Sequence, residues 1–124
     1  TLRWLDDTFA QAQTGGARAL VIAFHANPAF ADHAKGSPRP RYRALLDRLA
    51  LGAARYAHPV LLIHGDTHRY RVDQPLHDPR SGAVLGKVTR LATHGSPWLG
   101  WTLVTVDPAA TPPFSFEARP QWLD

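Results

Sequence analysis

Apolar side chains at Leu2, Leu5, Phe9 and Ala12 fall three or four positions apart, with Asp6, Asp7 and Gln11 between them. That spacing predicts an amphipathic helix over residues 1–13. Thr1 is its only N-cap candidate, and Gly15-Gly16 marks the stop, as glycine just past a last helical turn commonly does. The pattern then changes. Ala19-Leu20-Val21-Ile22-Ala23-Phe24 is an unbroken apolar run of strand length, β-branched at its centre, which predicts a parallel strand buried on both faces. After the long loop Ala29–Pro40, Tyr42, Leu45, Leu46, Leu49 and Ala53 make one stripe of a helix over residues 41–56. Pro59-Val60-Leu61-Leu62-Ile63 follows as a second buried strand. Strand, loop, helix and strand form a βαβ unit, expected to cross over right-handed and to leave its two strands parallel.

Beyond residue 80 the period becomes two. Leu85, Lys87, Thr89 and Leu91 alternate with Val84, Gly86, Val88 and Arg90, Trp101–Val106 is a clear strand, and Phe114-Ser115-Phe116-Glu117 a shorter one. His94-Gly95-Ser96-Pro97 predicts a turn between the first two, and with it an antiparallel pairing. Pro108 and Pro112-Pro113 keep the last strand at an edge or outside the sheet. The fold class is therefore mixed α/β, a βαβ unit followed by antiparallel strands. With no internal repeat, low-complexity segment or linker, residues 1–124 are read as one domain, or part of one.

The polar residues that interrupt this pattern collect at strand ends. His25 follows the first buried strand, and His64-Gly65-Asp66-Thr67-His68 follows the second, so a parallel pair puts them at the same edge. On an extended backbone His64, Asp66 and His68 point one way. Ligands of α/β proteins usually bind at the carboxyl ends of parallel strands. Imidazole and carboxylate suit ions such as Mn, Fe and Zn, so His25, Asp66 and His68 are candidate metal ligands. Arg69 and Arg71 flank the cluster as candidate substrate-binding residues, whose planar forks match phosphate oxygens. A single strand-end His is more simply read as bonding a loop carbonyl, and an exposed Arg as a solvated charge. Three polar side chains converging on one edge are what favour function. His33 is a candidate general acid in the long loop, where a His more often has no role. His58, His77 and His94, beside prolines and turns, are read as structural.

Composition narrows the choice. The chain has 124 residues, 44% of them hydrophobic, with 11 Pro, 9 Gly, no Cys and no Met. That is enough for one core, rich in turns, without disulfide, zinc-ribbon or thiol chemistry. No apolar run approaches the roughly 18 residues of a membrane span, and the first residues do not form a signal peptide. Without an initiator Met the chain reads as a fragment or a processed product, and its compartment is open. The net charge of +4 comes from twelve arginines against two lysines, scattered along the chain. This excess suits phosphate-bearing substrates, but a bland surface carries the same signature. There is no Gly-x-Ser-x-Gly elbow, Gly-rich phosphate loop or dinucleotide fingerprint. Nor do aromatics interleave with a basic stripe, as nucleic-acid binding would ask.

Two of these motifs carry a family likeness. Phe24-His25-Ala26-Asn27-Pro28, a lone His ending a buried strand, and Gly65-Asp66-Thr67-His68, ending the next, resemble the later motifs of calcineurin-like metallophosphoesterases. Arg69-Tyr70-Arg71-Val72-Asp73-Gln74-Pro75 and the stretch from Arg90 to Pro108 resemble a subgroup of that family, so the likeness covers most of the chain. It implies the C-terminal half of a four-layer αββα sandwich, and phosphoester hydrolysis by a longer chain with two divalent ions (Mn, Fe or Zn). His25 and Asp66 would serve one ion and His68 the other. The partners implied are a phosphoester substrate and the N-terminal half of the same domain. Two departures stand out. Asp66 occupies the place of the first His of Gly-His-x-His, and neither Gly-Asp-x-x-Asp nor Gly-Asn-His-Asp/Glu occurs. Asp66-Thr67-His68 also fits the family's opening Asp-x-His pattern, but His25 upstream favours the C-terminal assignment. No catalytic residue is then expected within these residues, and the chain alone is expected not to turn over. The rival expectation is a non-enzymatic binding or scaffold domain whose metal site has degraded. On the motif alignment His64 has no ligand role and becomes a strand-end or supporting residue.

Overall fold

The computed structural model describes residues 2–121, so Thr1, the N-cap candidate, lies outside the described residues. The first helix, α1, spans Leu2–Thr14 and buries Leu5, Phe9 and Ala12. It ends as the glycine pair predicts. Gly16 sits at φ 70°, and the Ala17 N–H reaches back to the Ala12 carbonyl at 2.9 Å, closing the orphan carbonyls of the last turn. Strand β1 is Leu20–Phe24, α2 is a short helix Phe30–Ala34 within the expected loop, and α3 is Pro40–Arg55. Proline at the start of α3 suits a position whose N–H has no helical partner. Then come β2 Val60–His64, β3 Arg71–Asp73, β4 Val88–Ala92, β5 Leu99–Val106 and β6 Phe114–Gln121. No described helix is long and apolar enough to cross a membrane.

Four strands form one mixed sheet in the order β1-β2-β4-β3, and β5-β6 form a separate hairpin. β1, β2 and β4 run parallel, with Phe24 opposite His64 and His64 opposite Ala92, while β3 is antiparallel to β4. Alternation along the strands sorts the side chains into two cores. Ile22, Val60, Leu62 and Val88 pack with Leu5, Phe9, Leu46 and Leu49 of α1 and α3. Leu61, Leu91 and Ile63 point the other way and meet Phe114, Val104 and Phe116 of the hairpin. The result is three layers, with helices, the mixed sheet and the hairpin stacked in turn. Each fully buried Leu, Val or Phe contributes about 1.5–3 kcal/mol of transfer free energy. Gly52 fixes the closest helix contact, since a Cβ there would stand 2.4 Å from the Phe9 ring.

Four expectations change. Residues 88–92, not 84–91, form the strand, and it pairs parallel with β2 rather than antiparallel with residues 101–106. The Thr93–Trp98 turn carries the chain from one β layer to the other, so β5 finds its partner in β6. β1 is buried on one face only, with Val21 47% exposed, because it is the outer strand of the sheet. The backbone of 64–68 is not extended. Asp66 and His68 adopt φ 69° and 58°, which breaks the period of two immediately after β2.

Candidate functional site

The parallel register brings His25 and the 65–68 turn to the carboxyl edge of β1, β2 and β4, as the βαβ reading predicts. The ladder continues one step past the strands. The Gly65 N–H donates to the His25 carbonyl at 3.2 Å, and the Thr93 N–H to the His64 carbonyl at 3.0 Å. A Cβ on Gly65 would lie 3.7 Å from His25 Nδ1 and 3.8 Å from Thr93 Oγ1, so the turn passes directly beside both side chains. Asp66 then reaches back. Its Oδ2 accepts the Asn27 N–H at 2.8 Å, tying the loop after β1 to the turn after β2, and its other oxygen has no hydrogen bond among the described residues. His68 donates Nδ1–H to the Ser96 carbonyl at 2.6 Å. A carbonyl can only accept, so Nδ1 is the protonated nitrogen, and in the neutral ring Nε2 carries the free lone pair. Gly95 lies against this ring, since a Cβ there would come within 2.5 Å of His68 Cδ2. His25, Asp66 and His68 are all exposed.

His64 does not join them. Position 64 shares the helix-side face with Val60 and Leu62, and the ring is 1% exposed, stacked on Phe24 at 5.7 Å and beside Phe30 at 6.0 Å. Its Nδ1–H donates to the Gly65 carbonyl at 2.9 Å, and its Nε2 faces Arg90 Nη1 at 3.4 Å. Burial holds its pKa below the ordinary 6.5; the Gly65 hydrogen bond works against this, and the Arg90 charge adds to the lowering. A guanidinium cannot accept a proton, so only the neutral ring fits here.

The pairing of Arg90 with Asp73 was not legible in the sequence. They face each other across β3 and β4. Arg90, 7% exposed, grips Asp73 with both arms of its fork, Nε to Oδ1 at 2.5 Å and Nη2 to Oδ2 at 2.6 Å. Its guanidinium also lies 5.3 Å over the Phe30 ring. Arg71 adds a second cation to the same carboxylate at 2.8 Å. Burial alone would raise the Asp73 carboxyl, but the hydrogen bonds and charges of Arg90, then Arg71, outweigh it and hold the pKa below the ordinary carboxylate value. The signal available in sequence was a charge at the centre of β4 and another at the end of β3.

The two candidate phosphate-binding arginines separate. Arg71 lines a polar cleft of about 360 Å³ with Arg90, Arg39 and His77. Arg69 lines a different, mostly apolar cleft of about 470 Å³ with His68, Tyr70, His94 and Trp98, in which Tyr70 and His94 stack at 5.3 Å. His33 bonds Asp47 at 2.8 Å and so links α2 to α3. Among the described residues no three His, Asp or Glu side chains converge closely enough to hold one ion. His25, Asp66 and His68 are thus neighbours along one edge rather than a closed three-ligand cage. No family model, curated protein or solved structure matches the chain.

Proposed function

We propose that the chain contributes part of a metal-dependent phosphoester-hydrolysing centre at the carboxyl edge of β1 and β2. His25 and Asp66 would serve one ion and His68 a second, with further ligands supplied by groups outside the described residues. The observation that carries this reading is the hydrogen bond from His68 Nδ1–H to the Ser96 carbonyl. Metal-bound histidines commonly donate their other ring N–H to a carbonyl or carboxylate, which fixes the tautomer and the ring orientation. His68 has that arrangement on an exposed turn beside an exposed carboxylate with one oxygen free. Divalent ions in such a centre polarise phosphoryl oxygens and lower the pKa of bound water. The chain's own part is to orient ligands. Gly65 and Gly95 admit the close turns, Asn27 holds the Asp66 carboxylate, and Ser96 holds the His68 ring.

The test is metal binding by the chain, read by calorimetry and by thermal stability in Mn²⁺ or Zn²⁺. Saturable stabilisation is expected. It should weaken by more than about 10–100-fold in His25→Ala and His68→Ala, exceeding what loss of a supporting residue costs. Equal stabilisation of wild type and both variants would refute the assignment. One observation favours a second reading, a binding domain without a working metal centre: Asp66 is already engaged by the Asn27 amide. On that reading Mn²⁺ and Zn²⁺ leave the melting temperature unchanged.

A further inference from the structure

The cleft between α2 and β3 has a construction of its own. It lies on the helix-side face of the sheet, below the end of β1, with about 360 Å³ of space. That is within the range of about 300–1,000 Å³ typical of small-molecule sites. Three guanidinium groups line it from three different elements: Arg39 at the start of α3, Arg71 on β3 and Arg90 on β4. Arg90 is fixed by Asp73 on one side, by His64 on another and by the Phe30 ring, so it cannot swing out to solvent. Arg71 and Arg39 each hold a carboxylate through Nε, Asp73 at 2.8 Å and Asp32 at 3.5 Å. Their paired Nη donors have no hydrogen-bond partner among the described residues. Two carboxylates against three guanidiniums leave one uncompensated positive charge, on the Arg71 and Arg90 pair that shares Asp73. His77 also lines the cleft, and its buried Nδ1 has no hydrogen-bond partner among the described residues.

The buried Arg90 is matched by Asp73, so the surplus positive charge falls on the solvent side, where the exposed forks of Arg71 and Arg39 line the cleft. An anionic ligand compensates that surplus. A planar carboxylate is satisfied by one guanidinium fork. Donors arriving from three elements suit an anion whose oxygens point in several directions.

We propose that the cleft formed by Arg39, Arg71, Arg90 and His77 binds a phosphate-type oxyanion, as inorganic phosphate or as the phosphate group of a small molecule. Arg71 and Arg39 close on the anion from the solvent side, and Arg90 supplies the fixed positive floor. The site is separate from the strand-end ligands and does not depend on their binding a metal.

The test is a titration of the chain with inorganic phosphate in EDTA at constant ionic strength, with backbone amides of residues 30–34 and 71–73 followed by NMR. EDTA removes any phosphate held through a metal at the strand ends. Saturable shifts confined to these segments are expected, with affinity falling about tenfold or more in Arg39→Gln/Arg71→Gln. Both side chains are well exposed, and an unchanged urea midpoint confirms that the double variant folds. His68→Ala should bind phosphate as wild type does. Glucose 6-phosphate binding more tightly than inorganic phosphate would identify a phosphate ester as the ligand, and the reverse the free anion. Absence of saturable binding overturns the proposal, as does undiminished affinity in the double variant, or acetate binding as well as phosphate.

Discussion

Replacing Asp73 by Asn keeps the shape of the side chain and removes its charge, leaving Arg90, a residue 7% exposed, with no counter-ion for the guanidinium that lies over the Phe30 ring. Two hydrogen bonds, at 2.5 and 2.6 Å, are affected. One Asn oxygen can still accept, but its NH₂ meets a guanidinium N–H, donor against donor. Hydrogen bonds to charged groups are worth about 1.5–3 kcal/mol each, and breaking a buried ion pair costs about 3–5 kcal/mol. Asp73 retains 27% side-chain exposure, so water can reach part of the vacated position, and the expected loss drops to about 2–4 kcal/mol. With a urea m-value of about 2 kcal/mol/M, the midpoint falls by roughly 1–2 M. The double variant Asp73→Asn/Arg90→Met separates the cost of an orphaned charge from the value of the pair. It should recover much of the loss, because no unpaired cation remains in the interior. A single-variant loss under about 1 kcal/mol, or a double variant no more stable than Asp73→Asn, would show that the pair behaves as a solvated surface bridge.

Two further perturbations test the site's neighbours. His64 has a depressed pKa, so below its ordinary 6.5 the unfolded chain binds more protons than the folded one. The stability it contributes is whole above about pH 6.5 and is lost as pH falls through the folded value. Asp73, also depressed, adds a second loss below its ordinary 3.8. Urea midpoints should fall from pH 7 to 5, and His64→Gln should flatten that slope; an unaltered slope in the variant contradicts the buried neutral ring. Gly95→Ala places a methyl 2.5 Å from His68 Cδ2, so the ring must turn away from the Ser96 carbonyl. Nitrogen chemical shifts of His68 should then lose the Nδ1–H tautomer, with folding stability changed by less than about 1 kcal/mol at this exposed turn. A retained tautomer would mean that Ser96 does not set it.

The parts of the fold that read directly from the sequence are those where one local pattern determines the outcome. Leu5 and Phe9 repeat at helical spacing, Leu61 and Leu62 belong to an unbroken apolar strand, and Gly15-Gly16 ends α1 where the glycines stand. The juxtaposition of His25 with the 65–68 turn followed from the parallel pairing alone. What the pattern does not encode is pairing between distant segments. Alternation marks β4 and β5 as strands but says nothing of which layer each joins. Arg90 alternates in its strand like any solvent-facing residue, and only the register of β3 against β4 shows that it meets Asp73 in the interior. The left-handed backbone at Asp66 is tolerable for Asp. His68 is likewise of a type that tolerates it, but neither residue requires it, so the extended reading of 64–68 meets no local contradiction.

The contact between the Asp66 carboxylate and the Asn27 amide has a consequence for the molecule as a whole. Asn27 uses its own side-chain oxygen to accept the Ala29 N–H at 3.1 Å, and Ala29 sits at φ 60° immediately before α2. The first residue of α2 is Phe30, whose ring lies under Arg90. Asp66 and Arg90 are therefore joined by a short chain of hydrogen bonds, one turn of backbone and one aromatic face. A ligand that takes Oδ2 of Asp66 competes with the first link of that chain, whereas one on the free oxygen leaves it intact. Only a strand-end ligand that displaces the Asn27 amide would couple to the arginine cleft, each then altering the affinity of the other by the same factor.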